Sequence, residues 1–323
     1  MIEKFVDPFT KQELVQDNVD NLYCSNGDGH QYICYDGCFD FVVCNNGVRT
    51  AREIYDDAYS VTNNNEMTIA AVSEQWHDIT IPWRKTMMES LGKLSGKQIL
   101  LLGNGASYKE FYFLLLGAHI VYTDLSLEAV RRAQDAFRRS EFWDKYSNSI
   151  EFHAVDATHL PFRDETFDII YGAKFVGFID DHPKLFSEIS RCLKPNGICR
   201  FGDDAHSPLW DYAKRGLLRP IKKWIFRSPT SLDNLRARQG SGVDQQYIYS
   251  LMKQCGFRDI FFIREYFFLR IAQLCYGKLV RWNPKYLSYA RPLFLLMKWV
   301  DTCLCKTSWM RKNYLASTWG LDK

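Results

Sequence analysis

The sequence lacks any apolar run long enough to cross a bilayer. Its most apolar stretches, Phe111–Tyr122 and Pro292–Val300, fall short of the roughly 18 residues a spanning helix needs. The amino terminus, Met-Ile-Glu-Lys-Phe-Val-Asp-Pro, has acids and a proline where a secretory leader needs an apolar core. No long internal repeat is present, which argues against a repeat architecture. No dedicated RNA-binding module is recognisable either. The expectation is a cytoplasmic protein whose ten cysteines stay reduced.

What is present is an ordinary globular composition with unevenly placed charge. Apolar residues make up 46% of the 323 positions and charged residues 24%, enough to bury a full core without staples. Net charge is only +3, yet Arg270–Lys312 holds nine bases against one acid, Asp301. The stretch Ala205–Gln239 is also basic. Such asymmetry points to an acidic partner or surface.

Three regions follow one another. Residues 1–50 are short strand-like pieces broken by Asn26-Gly27-Asp28-Gly29 and Asp36-Gly37, pairs that suit hairpin turns because glycine tolerates positive φ. Residues 51–97 form a largely helical linker with a polar break at Asn63-Asn64-Asn65. From residue 98 to 323 strands alternate with helices. The apolar run Gln98–Leu102 predicts a strand buried on both faces. Ser107–Leu116 predicts a helix, Ile120–Thr123 a strand, and Ser126–Arg138 a helix capped by Ser126. Further strands are expected at Ile150–Ala154, Phe167–Tyr171, Ile198–Phe201 and Asp259–Ile263. Helices are expected at Pro183–Leu193 and Gln245–Cys255. This alternation predicts an α/β fold, a doubly wound sheet with ligands beyond the carboxyl ends of its strands.

Three loops at those strand ends carry the chemistry. Leu101-Leu102-Gly103-Asn104-Gly105-Ala106-Ser107 joins a strand to a helix, with glycines for a tight turn and close approach of a ligand. Its structural alternative is a plain connecting turn. Asp124 ends the next strand and can accept two hydrogen bonds from ribose hydroxyls, or simply cap the following helix. Asp156 ends the third, in Val155-Asp156-Ala157-Thr158-His159-Leu160-Pro161-Phe162, and can accept from an adenine amino group. Asp168, at the start of Phe167-Asp168-Ile169-Ile170, is assigned a structural role. A nicotinamide dehydrogenase fits less well. It needs a pyrophosphate on the helix amino terminus, and Ser107-Tyr108 suits that poorly.

These motifs, with Leu185-Phe-Ser-Glu-Ile-Ser-Arg-Cys-Leu-Lys-Pro-Asn-Gly197, resemble the class I S-adenosylmethionine (SAM)-dependent methyltransferases, over roughly residues 98–264. The similarity is strongest to the ubiquinone/menaquinone-biosynthesis branch. The resemblance implies a Rossmann-like, seven-stranded doubly wound sheet, here with a small β-rich amino-terminal module and helical insertions at about 207–240 and 270–312. It implies SAM as cofactor. Gly103, Asn104 and Gly105 would cradle its amino-acid end, Asp124 would hold the ribose, and Leu125 would lie against the adenine. Asp156 and Ala157 would read the adenine edge, and Ala173 would line the methionine side. The family's third glycine is replaced by Ser107, whose hydroxyl can still meet the cofactor carboxylate.

Residues 1–50 are similar to the zinc-ribbon-like module that precedes some of these enzymes, with the metal ligands lost. The first ligand pair reads Asp7 and Thr10, and the second keeps only Cys24, opposite Gly27. Spacings among Cys24, His30, Cys34, Cys38 and Cys44 fit no common zinc pattern, so no metal is expected. Relatives often carry a histidine near Gly177 or Phe178, and none stands there. Asp204 and His206, just beyond the fifth strand, are the candidate catalytic bases. The aromatic-basic insertions suit either a cap on the sheet or a membrane-interface element. The expected acceptor is a small molecule, glycan or lipid-linked compound, with peripheral contact to an anionic membrane. RNA is a further alternative acceptor. A catalytically silent module that binds a partner is the rival from another class.

Overall fold

The computed structural model describes residues 4–18, 21–24, 30–43, 46–60, 67–77, 83–204, 244–265, 286–304, 307 and 316–323. The amino-terminal strands are β1 (Leu14–Asn18), β2 (Asn21–Cys24), β3 (Tyr32–Tyr35) and β4 (Cys38–Asp40). Next come β5 (Gln98–Leu102), β6 (His119–Asp124), β7 (Ile150–Ala154), β8 (Phe167–Ala173) and β9 (Leu193–Asp204). The last two are β10 (Phe261–Glu265) and β11 (Ala316–Asp322). All eleven join one sheet in the order β1-β2-β3-β4-β7-β6-β5-β8-β9-β11-β10.

The seven strands from β7 to β10 are the doubly wound sheet expected of the motifs. Strands β7, β6, β5, β8 and β9 run parallel to their neighbours, and β11 is antiparallel to both β9 and β10. The carboxyl-terminal strand is last in sequence but sits one place in from the edge, between β9 and β10. Runs such as Ile99-Leu100-Leu101-Leu102 are continuously apolar because both faces are covered. Leu100 and Leu102 point into one core with Phe186 and Ile189, while Ile99 and Leu101 point into the other with Met87 and Phe137.

Helices α1 (Asn46–Ser60), α2 (Ile69–His77) and α3 (Trp83–Leu91) precede the sheet. The helix expected over Ser107–Leu116 is shorter than that. A 3-10 turn at Lys109–Phe111 passes into α4 (Tyr112–Leu115), and Gly117 with φ +82° ends it. Helix α5 (Leu127–Arg138) starts as its sequence indicates, with the Ser126 hydroxyl accepting from the Ala129 N–H at 3.0 Å. The remaining helices among the described residues are α6 (Trp143–Tyr146), α7 (His182–Cys192), α8 (Gln245–Gln254) and α9 (Tyr286–Leu304). No helix among the described residues is long and apolar enough to cross a membrane.

The amino-terminal strands extend the main sheet, because β4 pairs in parallel with β7 (Phe39 opposite His153, Asp40 opposite Ala154). Phe5, Tyr32, Phe39 and Phe41 enter the same core as Leu160, Phe162 and Phe167. Asp7, at a position where the resembling module carries a metal ligand, is fully buried. Its carboxylate accepts from the Phe9 N–H (2.9 Å), the Thr10 N–H (2.7 Å) and the Tyr32 hydroxyl (2.8 Å). Hydrogen bonds thus hold this turn. Burial pushes the Cys38 thiol up to about 12, so it behaves as a small apolar side chain. Among the described residues no three His, Cys, Asp or Glu gather as a metal site. The side chains of Cys24 and Cys44 lie outside the described residues.

Candidate cofactor site

Asp124 organises the site from the end of β6. One carboxylate oxygen accepts from the Gly105 N–H at 2.7 Å and the other from the Ser126 N–H at 2.9 Å. It therefore ties the glycine loop to the start of α5. A carboxylate offers about four acceptor directions, so two such bonds do not exhaust it. Burial raises the pKa of Asp124 above the ordinary aspartate value; the Ser126 and Gly105 N–H groups pull the other way, and the nearby Asp56 adds to the rise. A desolvated anion in this position is suited to hydroxyl donors.

The glycine loop takes the shape its sequence requires. Gly103 and Gly105 have φ of +62° and +59°, a left-handed conformation that costs most other residues energy. Both lie under aromatic side chains. A Cβ on Gly103 would come within 2.4 Å of Phe175, and one on Gly105 within 2.2 Å of the Tyr59 hydroxyl oxygen. Phe175 also lies against Gly172, at the end of β8. Asn104 and Ser107 turn inward: the Asn104 amide and the Ser107 hydroxyl donate to Glu110 at 3.2 and 3.0 Å. The Tyr122 hydroxyl meets the carbonyl oxygens of Gly105 (2.9 Å) and Ser107 (2.5 Å). The loop is thus fixed from below by a fully buried Glu110 and by Tyr122.

Asp156 stands on the neighbouring strand end. Asp124 lies opposite Ala154 in register, and the Val155 N–H donates to the Asp124 carbonyl at 2.8 Å. The Asp156 carboxylate accepts from the Thr158 N–H (2.9 Å) and hydroxyl (2.7 Å), with His159 at 3.7 Å. Burial works against its charge, but His159 and Thr158 prevail and hold its pKa below the ordinary value. Leu125 is half-buried and Ala157 buried beside these acids; Ala173 is half-buried where β8 ends. The carboxyl edge therefore brings together Gly103, Gly105, Asp124, Leu125, Asp156, Ala157 and Ala173.

Helix α1 reaches the same crevice. Asp56 accepts from the Ser126 hydroxyl (2.5 Å) and the Glu128 N–H (3.2 Å), and Arg52 grips Asp40 of β4 with both terminal nitrogens (3.1 and 2.7 Å). Tyr59 is one turn further along. Asp56, Tyr59, Glu110 and Phe175 escaped the sequence patterns, since no fixed spacing links them to the glycine loop. Asp168 is at the other edge, where it receives Lys194 (2.8 Å), Lys97 (3.2 Å) and the Gln98 N–H (3.0 Å). Of the candidate bases, Asp204 ends β9 at the carboxyl edge, with its side chain outside the described residues, and His206 lies outside them altogether.

The fold and site define a class, and comparison with known proteins agrees. Residues 100–201 match the family described as "Methyltransferase domain". Residues 100–201 are thus similar to a methyltransferase domain. Over 163 residues it is 27% identical to phosphoethanolamine N-methyltransferase 1 of Zea mays, covering 50% of this chain and 28% of that one. Over 153 residues it is 27% identical to demethylmenaquinone methyltransferase of Streptomyces avermitilis, covering 46% of this chain and 62% of that one. The match thus spans less than two thirds of either relative. Among solved structures, phosphoethanolamine N-methyltransferase 2 of Haemonchus contortus with S-adenosyl-L-methionine is similar at a TM-score of 0.52 and 15% identity, covering 88% of this chain and 61% of that one. A putative sarcosine dimethylglycine methyltransferase from Galdieria sulphuraria gives 0.52 and 16%, covering 86% and 98%. At these identities the likeness is one of fold.

Proposed function

We propose that this protein transfers a methyl group from SAM to an oxygen, nitrogen or carbon of a small-molecule, glycan or lipid-linked acceptor. The observation that carries this is the buried Asp124, joined at once to the glycine loop and to α5, with Asp156 on the adjacent strand end. SAM fits these residues: two left-handed glycines at the strand end, a desolvated carboxylate for its ribose, and a second carboxylate for its adenine. When bound, the cofactor supplies an electrophilic methyl on a sulfonium, already provided with a good leaving group. The protein's own work is then mainly positioning. Glu110 and Tyr122 fix the loop, and Asp124 orients the nucleoside end. Asp204 and His206 remain our candidates for receiving an acceptor proton.

Calorimetry with SAM tests this directly, followed by transfer of labelled methyl to extracted small molecules and lipids. Binding followed by incorporation is expected. One observation favours a second reading, a silent module: Phe175 crowds Gly103 and Gly172, where the methionine end would lie. Absence of SAM binding by the intact chain would establish that alternative over ours.

A further inference from the structure

The surface of α9 carries an apolar stripe that the cofactor site does not use. Leu293, Leu295, Leu296 and Trp299 are 47%, 52%, 51% and 64% exposed, whereas Phe294 and Asp301 on the opposite side are 3% and 1% exposed. At 3.6 residues per turn, Pro292, Leu295, Leu296, Trp299 and Cys303 fall within an arc of about 100°. All five are exposed. Elsewhere among the described residues, exposed large apolar side chains do not gather so densely on a helix. A stripe of this kind marks an interaction surface.

Its place in the fold relates it to the site. Glu265, the last residue of β10, pairs with Ala316, the first of β11, and Ala316 pairs with Asp204, the last of β9. The connection that contains α9 therefore leaves and re-enters the sheet at the carboxyl edge, where Gly103, Asp124 and Asp156 lie. That connection is also the most basic part of the chain: Arg270–Lys312 has nine bases and one acid. The acid, Asp301, is buried. Two copies of so basic a segment repel each other when paired. An anionic bilayer offers what the stripe and the charge both require: acyl chains for Leu and Trp, and headgroups for Lys and Arg.

We infer that α9 is an interfacial helix that docks the carboxyl edge of the sheet on an anionic membrane surface. Its exposed stripe enters the headgroup boundary, and the net positive charge of this part of the sequence favours lipid phosphates and carboxylates beneath it. Docking at that edge presents the cofactor crevice to acceptors held in or on the bilayer. The docking does not depend on methyl transfer.

Co-sedimentation of the full chain with phosphatidylcholine vesicles, with and without phosphatidylserine, tests this. Binding is expected only with phosphatidylserine, weakening as salt rises. The double variant Leu295→Glu/Trp299→Glu is expected to bind roughly tenfold or more weakly. Both sites are exposed, so an unchanged melting temperature and SAM isotherm would show an intact fold and separate this test from that of the proposed function. No binding at low salt, or equal binding by variant and wild type, overturns the inference. So does a wild-type dimer in sedimentation that the variant dissolves without altered vesicle binding, since the stripe would then be a self-association face.

Discussion

Asp124 is an anion that its burial opposes and that the proposed cofactor contact needs. Its pKa is raised mainly by desolvation, so the ionised form costs the folded state at neutral pH, and that cost is relieved as pH falls through the raised value. In the proposed complex, by contrast, ribose hydroxyls would donate to the anion. SAM affinity is therefore expected to decline on acidification at a pH above the ordinary aspartate range of about 4. Calorimetry across pH would show it, and an isotherm unchanged down to about pH 4 would contradict it. Asp124→Ala is expected to weaken SAM binding by about tenfold or more, as a charge-assisted contact is lost. Gly105→Ala probes the loop beneath. It forces a Cβ into a left-handed residue, 2.2 Å from the Tyr59 hydroxyl oxygen, and should cost about 1–2 kcal/mol in denaturant unfolding. Adding Tyr59→Phe to that variant should recover part of the loss; additive costs would mean that the two residues are not coupled.

At the scale of elements, the sequence revealed what depends on neighbours in the chain. Ser126 before Leu127-Glu128 announces a helix start, and Ser126 caps α5 as its position implies. Ile150–Ala154 is found as expected, with Ile150, Phe152 and Ala154 alternating with Glu151 and His153 in the two-residue period of a strand. What stayed hidden depends on residues far apart. Nothing near Phe39 shows that β4 pairs with β7, and nothing near Ala316 shows that β11 inserts between β9 and β10. The helix expected from Ser107 starts later, with a 3-10 turn at Lys109–Phe111, and Ser107 and Asn104 ahead of it are engaged by Glu110. In the same way, Asp56 is seventy residues from the Ser126 hydroxyl that it accepts. Asp56→Ala should cost about 1 kcal/mol, the scale of a lost helix cap. It should also weaken SAM binding, because the contact anchors the helix that bears Tyr59. A variant less stable yet unchanged in affinity would show that α1 only braces the fold.

For the molecule as a whole, the question is what binds the amino-terminal strands to the methyltransferase domain. Beyond the β4–β7 pairing, Glu188 of α7 is central. It is 3% exposed and accepts from Lys11 (2.6 Å), Arg191 (2.8 Å) and the Leu160 N–H (2.8 Å). Lys11 belongs to the amino-terminal module, and Leu160 to the loop that follows Asp156. Burial opposes the Glu188 charge, but Arg191 and Lys11 outweigh it and depress its pKa below the ordinary 4.5. Its contribution to stability is thus complete above that value and is lost as pH falls through the depressed one. Glu188→Ala removes the carboxylate that Lys11 and Arg191 share, leaving Arg191 paired with Asp164 (2.9 Å) and Lys11 with the Pro8 carbonyl (2.7 Å), at a cost of about 2 kcal/mol. Glu188→Gln keeps an acceptor for the Leu160 N–H and should cost less. In an acid titration the wild type should lead Glu188→Gln in stability near neutrality, and the lead should shrink below about pH 4.5. Curves that stay parallel would show that the cluster stabilises by packing alone, and that the module is held on the sheet by Phe5, Phe41 and Phe162 without help from charge.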